Sequence, residues 1–157
     1  MAMTLRLLAD QIARAHARWG DRPQPAATPH DVRQVASRFQ TEFGVPAPEE
    51  YLELLRLTDG ALYNGIEVFA CKPSAYVNKR TVRIDGIMEA NRRMKRDREE
   101  VDGVAIFATQ DMGLRVLDLA TGVYKFVGHG GDDYEQFDSF TAMLSHAFAN
   151  RLPKDVS

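Results

Sequence analysis

Apolar residues return at helical spacing three times before the chain alternates. Leu5, Leu8, Ile12, Ala15 and Trp19 form one stripe, with Arg6, Asp10, Arg14 and Arg18 off it, which predicts an amphipathic helix over residues 3–18 ended by Gly20. DRPQPAAT is a linker, after which Thr28 with Asp31 reads as an N-terminal cap and Pro29 as the first helical residue. Val32, Val35, Ala36, Phe39 and Phe43 give that second helix its buried face. The third lies in FGVPAPEEYLELLRLTDG. Pro46 and Pro48 keep its approach extended, Pro48 suits its first turn, and Glu49 and Glu50 favour the positive end of its dipole. Tyr51, Leu54 and Leu55 share a face that Leu52 and Leu57 widen, Gly60 offers the left-handed residue that ends it, and Asn64-Gly65 adds a turn.

From Tyr63 to Ala70 the pattern becomes β, with Ile66, Val68 and Ala70 on one face and Glu67 and Phe69 on the other. Residues 71–83 carry Pro73 and mixed polarity and read as a loop with one edge strand near Tyr76–Val82. Ile84, Ile87, Met88, Asn91 and Met94 restore helical spacing, with Asp85 as cap and the basic run Arg92–Arg98 outward. VAIFA, LRVLDL and VYKFV then predict three antiparallel strands, the last two joined by Ala120, Thr121 and a left-handed Gly122. The stretch GHGGDDYEQ reads as a loop, and Asp138 as the cap of a final helix bearing Phe140, Met143, Leu144, Ala147 and Phe148. The order predicts an α+β fold, a single domain spanning 1–157, with helices packed on an antiparallel sheet of about four to six strands.

Composition narrows the class. The chain has 157 residues, 45% hydrophobic and 27% charged, enough for a core without staples. A formal net charge of −2 disfavours direct nucleic-acid binding. The single cysteine, Cys71, rules out an internal disulfide or a cysteine-rich zinc site. The N-terminus lacks a basic leader before an apolar core, and no window approaches the roughly 18 apolar residues of a membrane span. A cytoplasmic protein is expected.

His16, His30, His129 and His146 stand in separate elements without ligand spacing, so solvated or capping roles are expected, with no metal and no cofactor. Lys72 beside Cys71 would lower the thiol pKa if the two were close, although a core cysteine is the simpler reading. GHGG resembles a phosphate loop but leads into acidic residues that repel an anion. RRMKRDREE alternates sign as a solvated helix face does, and the adjacent Asp132 and Asp133 do not face each other across a cleft. No catalytic constellation emerges. What stands out is an acidic loop with aromatic company: Asp132, Asp133, Tyr134, Glu135 and Asp138, with Asp111 in a strand-connecting loop. Such a loop is either inert solvated surface or a site for a cationic protein, where charge steers and the ring anchors.

Pro48, Glu49, Glu50 and Tyr51 opening an apolar helix that runs into a Gly-rich turn resemble the opening motif of the SUKH superfamily, which includes bacterial immunity proteins and the fungal cell-wall-assembly regulator. Gly113–Leu119, Val123–Val127 and Ser139-Phe140 stand where that family carries a Gly-apolar-Asp strand, a further strand and a Ser-Phe helix start, and 87–91 resembles a helix of one bacterial branch. The likeness covers about 43–148 and leaves helix 3–18 outside. It implies a non-catalytic module, an immunity protein that binds and occludes a cognate toxin domain. A basic active-site mouth favours a nuclease or nucleotide-modifying toxin as partner. The alternatives are a housekeeping scaffold or regulator of the same fold and an enzyme whose site no motif betrays.

Overall fold

The computed structural model describes residues 3–77, 81–96 and 98–153. Thr4 caps α1 (Leu5–Arg18) by accepting from the Leu7 N–H, and Leu5, Leu8, Ile12 and Ala15 are buried as their spacing predicts. Trp19 departs from that face: it follows the last helical residue, where the backbone has left the helix, and is 61% exposed. In α2 (Pro29–Phe43) Thr28 Oγ1 accepts from the Asp31 N–H at 3.1 Å with Pro29 at the first position, and left-handed Gly44 ends the helix.

Helix α3 (Glu49–Leu57) starts one residue later than its proline suggests, with Pro48 as the flanking residue. It stops because Thr58 turns extended, while Gly60 serves another purpose. At φ +81° a Cβ there would lie 2.6 Å from the Val68 carbonyl oxygen, so only glycine lets the chain pass so close to the neighbouring strand. Tyr51 is fully buried, and its hydroxyl donates to the Phe69 carbonyl at 2.7 Å. Its ring meets Phe107 and Phe140 edge-on at 5.0 and 5.6 Å, and Phe39 of α2 stacks on Phe107 at 6.0 Å. Phe107 is thus where α2, α3 and the last helix meet the sheet.

That sheet is antiparallel and six-stranded, in the order β1 (Ala61–Tyr63), β2 (Ile66–Val68), β5 (Val104–Gln110), β6 (Gly113–Asp118), β7 (Tyr124–Val127), β8 (Asp133–Phe137). The single strand expected over Tyr63–Ala70 is instead a hairpin, β1 (Ala61–Tyr63) and β2 (Ile66–Val68). Asn64 and Gly65 both take positive φ, the geometry of a tight two-residue turn. The 71–83 segment holds a separate two-stranded ribbon, β3 (Ser74–Val77) and β4 (Thr81–Ile84), rather than one edge strand, and its connecting residues 78–80 lie outside the described residues. Ile84 belongs to that ribbon. Helix α4 is Ile87–Arg96, and Asp85 pairs with Arg93 instead of capping it.

Strands β5 (Val104–Gln110), β6 (Gly113–Asp118) and β7 (Tyr124–Val127) form the predicted meander, with Gly122 left-handed at φ +75°. Where β2 leaves β5, buried Asn91 of α4 takes over the ladder. Its Oδ1 accepts from the Ile106 N–H and its Nδ2 donates to the Ile106 carbonyl, both at 2.8 Å. The expected acidic loop contains strand β8 (Asp133–Phe137), paired along β7 with an irregularity at Phe126/Val127. Ser139, not Asp138, caps α5 (Phe140–Phe148), its hydroxyl accepting from the Ala142 N–H at 3.0 Å. Asp138 misses the role by one position because the helix begins at Phe140.

Candidate functional site

The two ends of the sheet differ. At the β1 end Ala61 is buried and Tyr63 meets the buried His16 ring of α1 edge-on at 5.4 Å. At the β8 end Asp133, Tyr134, Glu135 and Gln136 are all exposed, and among the described residues β7 is the strand's only sheet neighbour. An edge strand offers its outward N–H and C=O groups to a further chain.

Four of the predicted acidic positions divide between the faces and ends of this edge. The GHGG turn is closed by Gly128 N–H to the Asp132 carbonyl at 2.7 Å and by Gly131 N–H to the Gly128 carbonyl at 2.9 Å. It is a tight β7–β8 connection, not an anion cradle. His129 ties it to the β5–β6 turn, with Nε2 3.2 Å from the Gln110 carbonyl and Arg98 3.4 Å from Nδ1. This brings Asp111 and Met112, the latter 62% exposed, to the end of the sheet where Asp132 precedes β8 and Asp133 begins it. Asp138 lies at the opposite end, roughly 17 Å away along an extended strand.

Neither strand carboxylate is bare. Lys125 Nζ sits 3.1 Å from Asp133 and 3.2 Å from Asp118, and Asp118 is held below the usual carboxylate range by its hydrogen bonds to Lys125, Thr121 and Ala120 against the opposing effect of burial. Glu135 turns the other way, onto α5, where its Oε2 is 2.8 Å from His146 Nε2. Tyr134 packs edge-on against Phe126 at 5.2 Å and remains 53% exposed, an aromatic ring braced from behind and open in front.

Behind Glu135 lies what the sequence did not single out. Arg115, only 2% exposed, reaches from β6 to α5. Its Nε donates to Gln110 Oε1 at 3.1 Å, Nη1 lies 3.4 Å from the Met143 carbonyl and 2.9 Å from His146 Nδ1, and its guanidinium lies 3.8 Å over the Phe126 ring. Because guanidinium only donates, His146 Nδ1 accepts and Nε2–H donates to Glu135. A neutral histidine therefore links a buried cation to an exposed acid, and burial brings the Arg115 pKa down to about 10 although Glu135 opposes this. An arginine within the apolar run of β6 was the available signal. His146 and His129 thus have bridging roles, and His16 a buried one, rather than solvated or capping roles.

The remaining candidates resolve into structure. Cys71 is buried, its thiol pushed well up by burial and by Asp59, while Lys72 pairs with Asp31 at 3.2 Å. The basic run is partly engaged: Arg92 pairs with Glu42 at 2.8 Å, and half-buried Lys95 lies 4.7 Å over the Phe43 ring. Among the described residues no group of three His, Cys, Asp or Glu could hold a metal ion, and no helix is long and apolar enough to cross a membrane. Compared with family models, curated proteins and solved structures, the chain returns no match.

Proposed function

We propose that this chain is a cytoplasmic, non-catalytic binding protein of the SUKH type, an immunity protein that docks on a cognate toxin domain and covers its active site. The observation that carries the reading is the open β8 edge, where Tyr134 stands exposed between Asp133 and Glu135. Backbone groups at an edge give affinity, the acidic side chains steer a basic surface, and a braced tyrosine anchors it at little entropic cost. Nucleases and nucleotide-modifying toxins present such basic mouths, because they must hold phosphates. Inhibition is by occupancy, one protein to one toxin.

The test is to recover the partner by pull-down with mass spectrometry and to titrate the purified chain against it. The reading expects activity to fall linearly to zero at one equivalent, with growth restored on co-expression. A toxin that stays fully active with the chain in excess overturns it.

A further inference from the structure

Three large apolar side chains stand exposed among the described residues, Trp19, Met112 and Tyr134, and the last two belong to one corner of the sheet. Met112 lies in the β5–β6 turn, one residue before Gly113, where a Cβ would come within 3.1 Å of the Phe126 ring. Tyr134 packs edge-on against that same ring at 5.2 Å, and its hydroxyl rests on Gly128, where a Cβ would lie 2.6 Å away. The strand pairing explains why this tyrosine stands out. Val127 faces Asp133 and Phe126 faces Glu135, so Tyr134 is the extra residue of a bulge and has no cross-strand partner. A bulge re-aims its side chain and interrupts the ladder, which leaves 135–137 as the stretch of edge open to a further strand.

Charge at the corner is lopsided. Asp111 and Asp132 are exposed and form no ion pair with a described residue. The nearby cations are engaged: Arg115 against the Phe126 ring, Lys125 by Asp118 and Asp133, and Arg98 by His129. Exposed apolar area with a polar rim is how a protein-binding hot spot is built. We propose that Met112, Phe126 and Tyr134, rimmed by Asp111 and Asp132, anchor the docking surface, and that the partner protein seats there one large aromatic side chain flanked by arginine or lysine. The inference rests on the reading of β8 as the docking edge and adds where along it the binding energy concentrates. An aromatic ring suits the corner because it can stack on the open side of Tyr134 while the Met112 thioether meets its edge. Basic neighbours of that ring meet the two free carboxylates, whereas the phosphates of a nucleic acid are repelled by them.

The experiment is an NMR titration of the full chain with the capped tripeptide acetyl-Arg-Trp-Arg-amide, and with acetyl-Glu-Trp-Glu-amide and acetyl-Arg-Ala-Arg-amide as comparators. The first should bind saturably and move the Met112 methyl and Tyr134 ring resonances. The acidic peptide should not bind, and loss of the indole should weaken binding about fivefold or more. Met112→Ala and Tyr134→Ala, both at exposed positions outside the core, should each weaken it about fivefold, while Gln136→Ala further along β8 should not. No binding of the first peptide, shifts elsewhere on the chain, equal affinity for all three peptides, or an unaffected Met112→Ala variant overturns the proposal. The two readings fail separately. A chain that binds the tripeptide at this corner yet leaves its recovered partner active refutes occlusion alone, and inhibition that Met112→Ala does not weaken refutes the corner alone.

Discussion

Asn91 carries three hydrogen bonds inside the core, two to Ile106 and one to the Ile87 carbonyl, and so completes a strand edge that β2 abandons. Asn91→Leu keeps the apolar spacing of α4 yet strands the Ile106 N–H and C=O. It should lower stability by about 2–4 kcal/mol in urea unfolding, and an unchanged midpoint would mean water replaces the side chain. Leu54, 1% exposed, tests packing alone: Leu54→Ala should cost about 2–5 kcal/mol, and an unchanged melting temperature would contradict its burial. His16 makes the fold sensitive to acid. Burial lowers its pKa from the ordinary 6.5, so below that value the unfolded chain takes up a proton that the folded chain excludes. Its contribution is present above the unfolded pKa and lost as pH falls, at most about 1.4 kcal/mol per unit. His16→Phe should therefore flatten stability between pH 7 and 5.5, and parallel curves for variant and wild type would assign the acid sensitivity elsewhere.

Elements were legible wherever one periodicity held long enough. The apolar stripes of α1, α2 and α3 specify helices, since each buries a single face, and the meander reads from its β-branched and aromatic runs. Trp19 misled because spacing does not reveal that the backbone leaves the helix before it. Strand β8 was obscured for a different reason: an exposed edge strand of five residues buries almost nothing, so DYEQF lacks the alternation that marks a half-buried strand. The start of α5 offers two neighbouring cap candidates, Asp138 and Ser139, and only the structure separates them. Ser139→Ala should cost about 1 kcal/mol and Asp138→Ala much less in thermal unfolding, and the reverse order would move the helix start back by one residue.

Across the whole molecule, the acidic positions were visible in the sequence but their partners were not, because Lys125, His146 and Arg115 come from other elements. Registering β7 against β8 is what places Asp133 on Lys125 and Glu135 over α5. The same pairing makes neutralisation a mild change for the fold. In Glu135→Gln the amide oxygen still accepts from His146, and Lys125 keeps Asp118 when Asp133→Asn removes one of its two carboxylates. Pairs with at least one exposed partner, as both of these are, contribute about 0–1 kcal/mol each. Charge at the edge can therefore be removed while the edge itself stays. The most direct test of β8 as the docking edge is the association rate with the toxin domain against ionic strength, for wild type and for the chain carrying Asp132→Asn, Asp133→Asn and Glu135→Gln. With melting temperatures matched, the account predicts a triple variant that associates about tenfold more slowly at low salt and converges with wild type as salt screens the field. Identical rates at every salt concentration would contradict it.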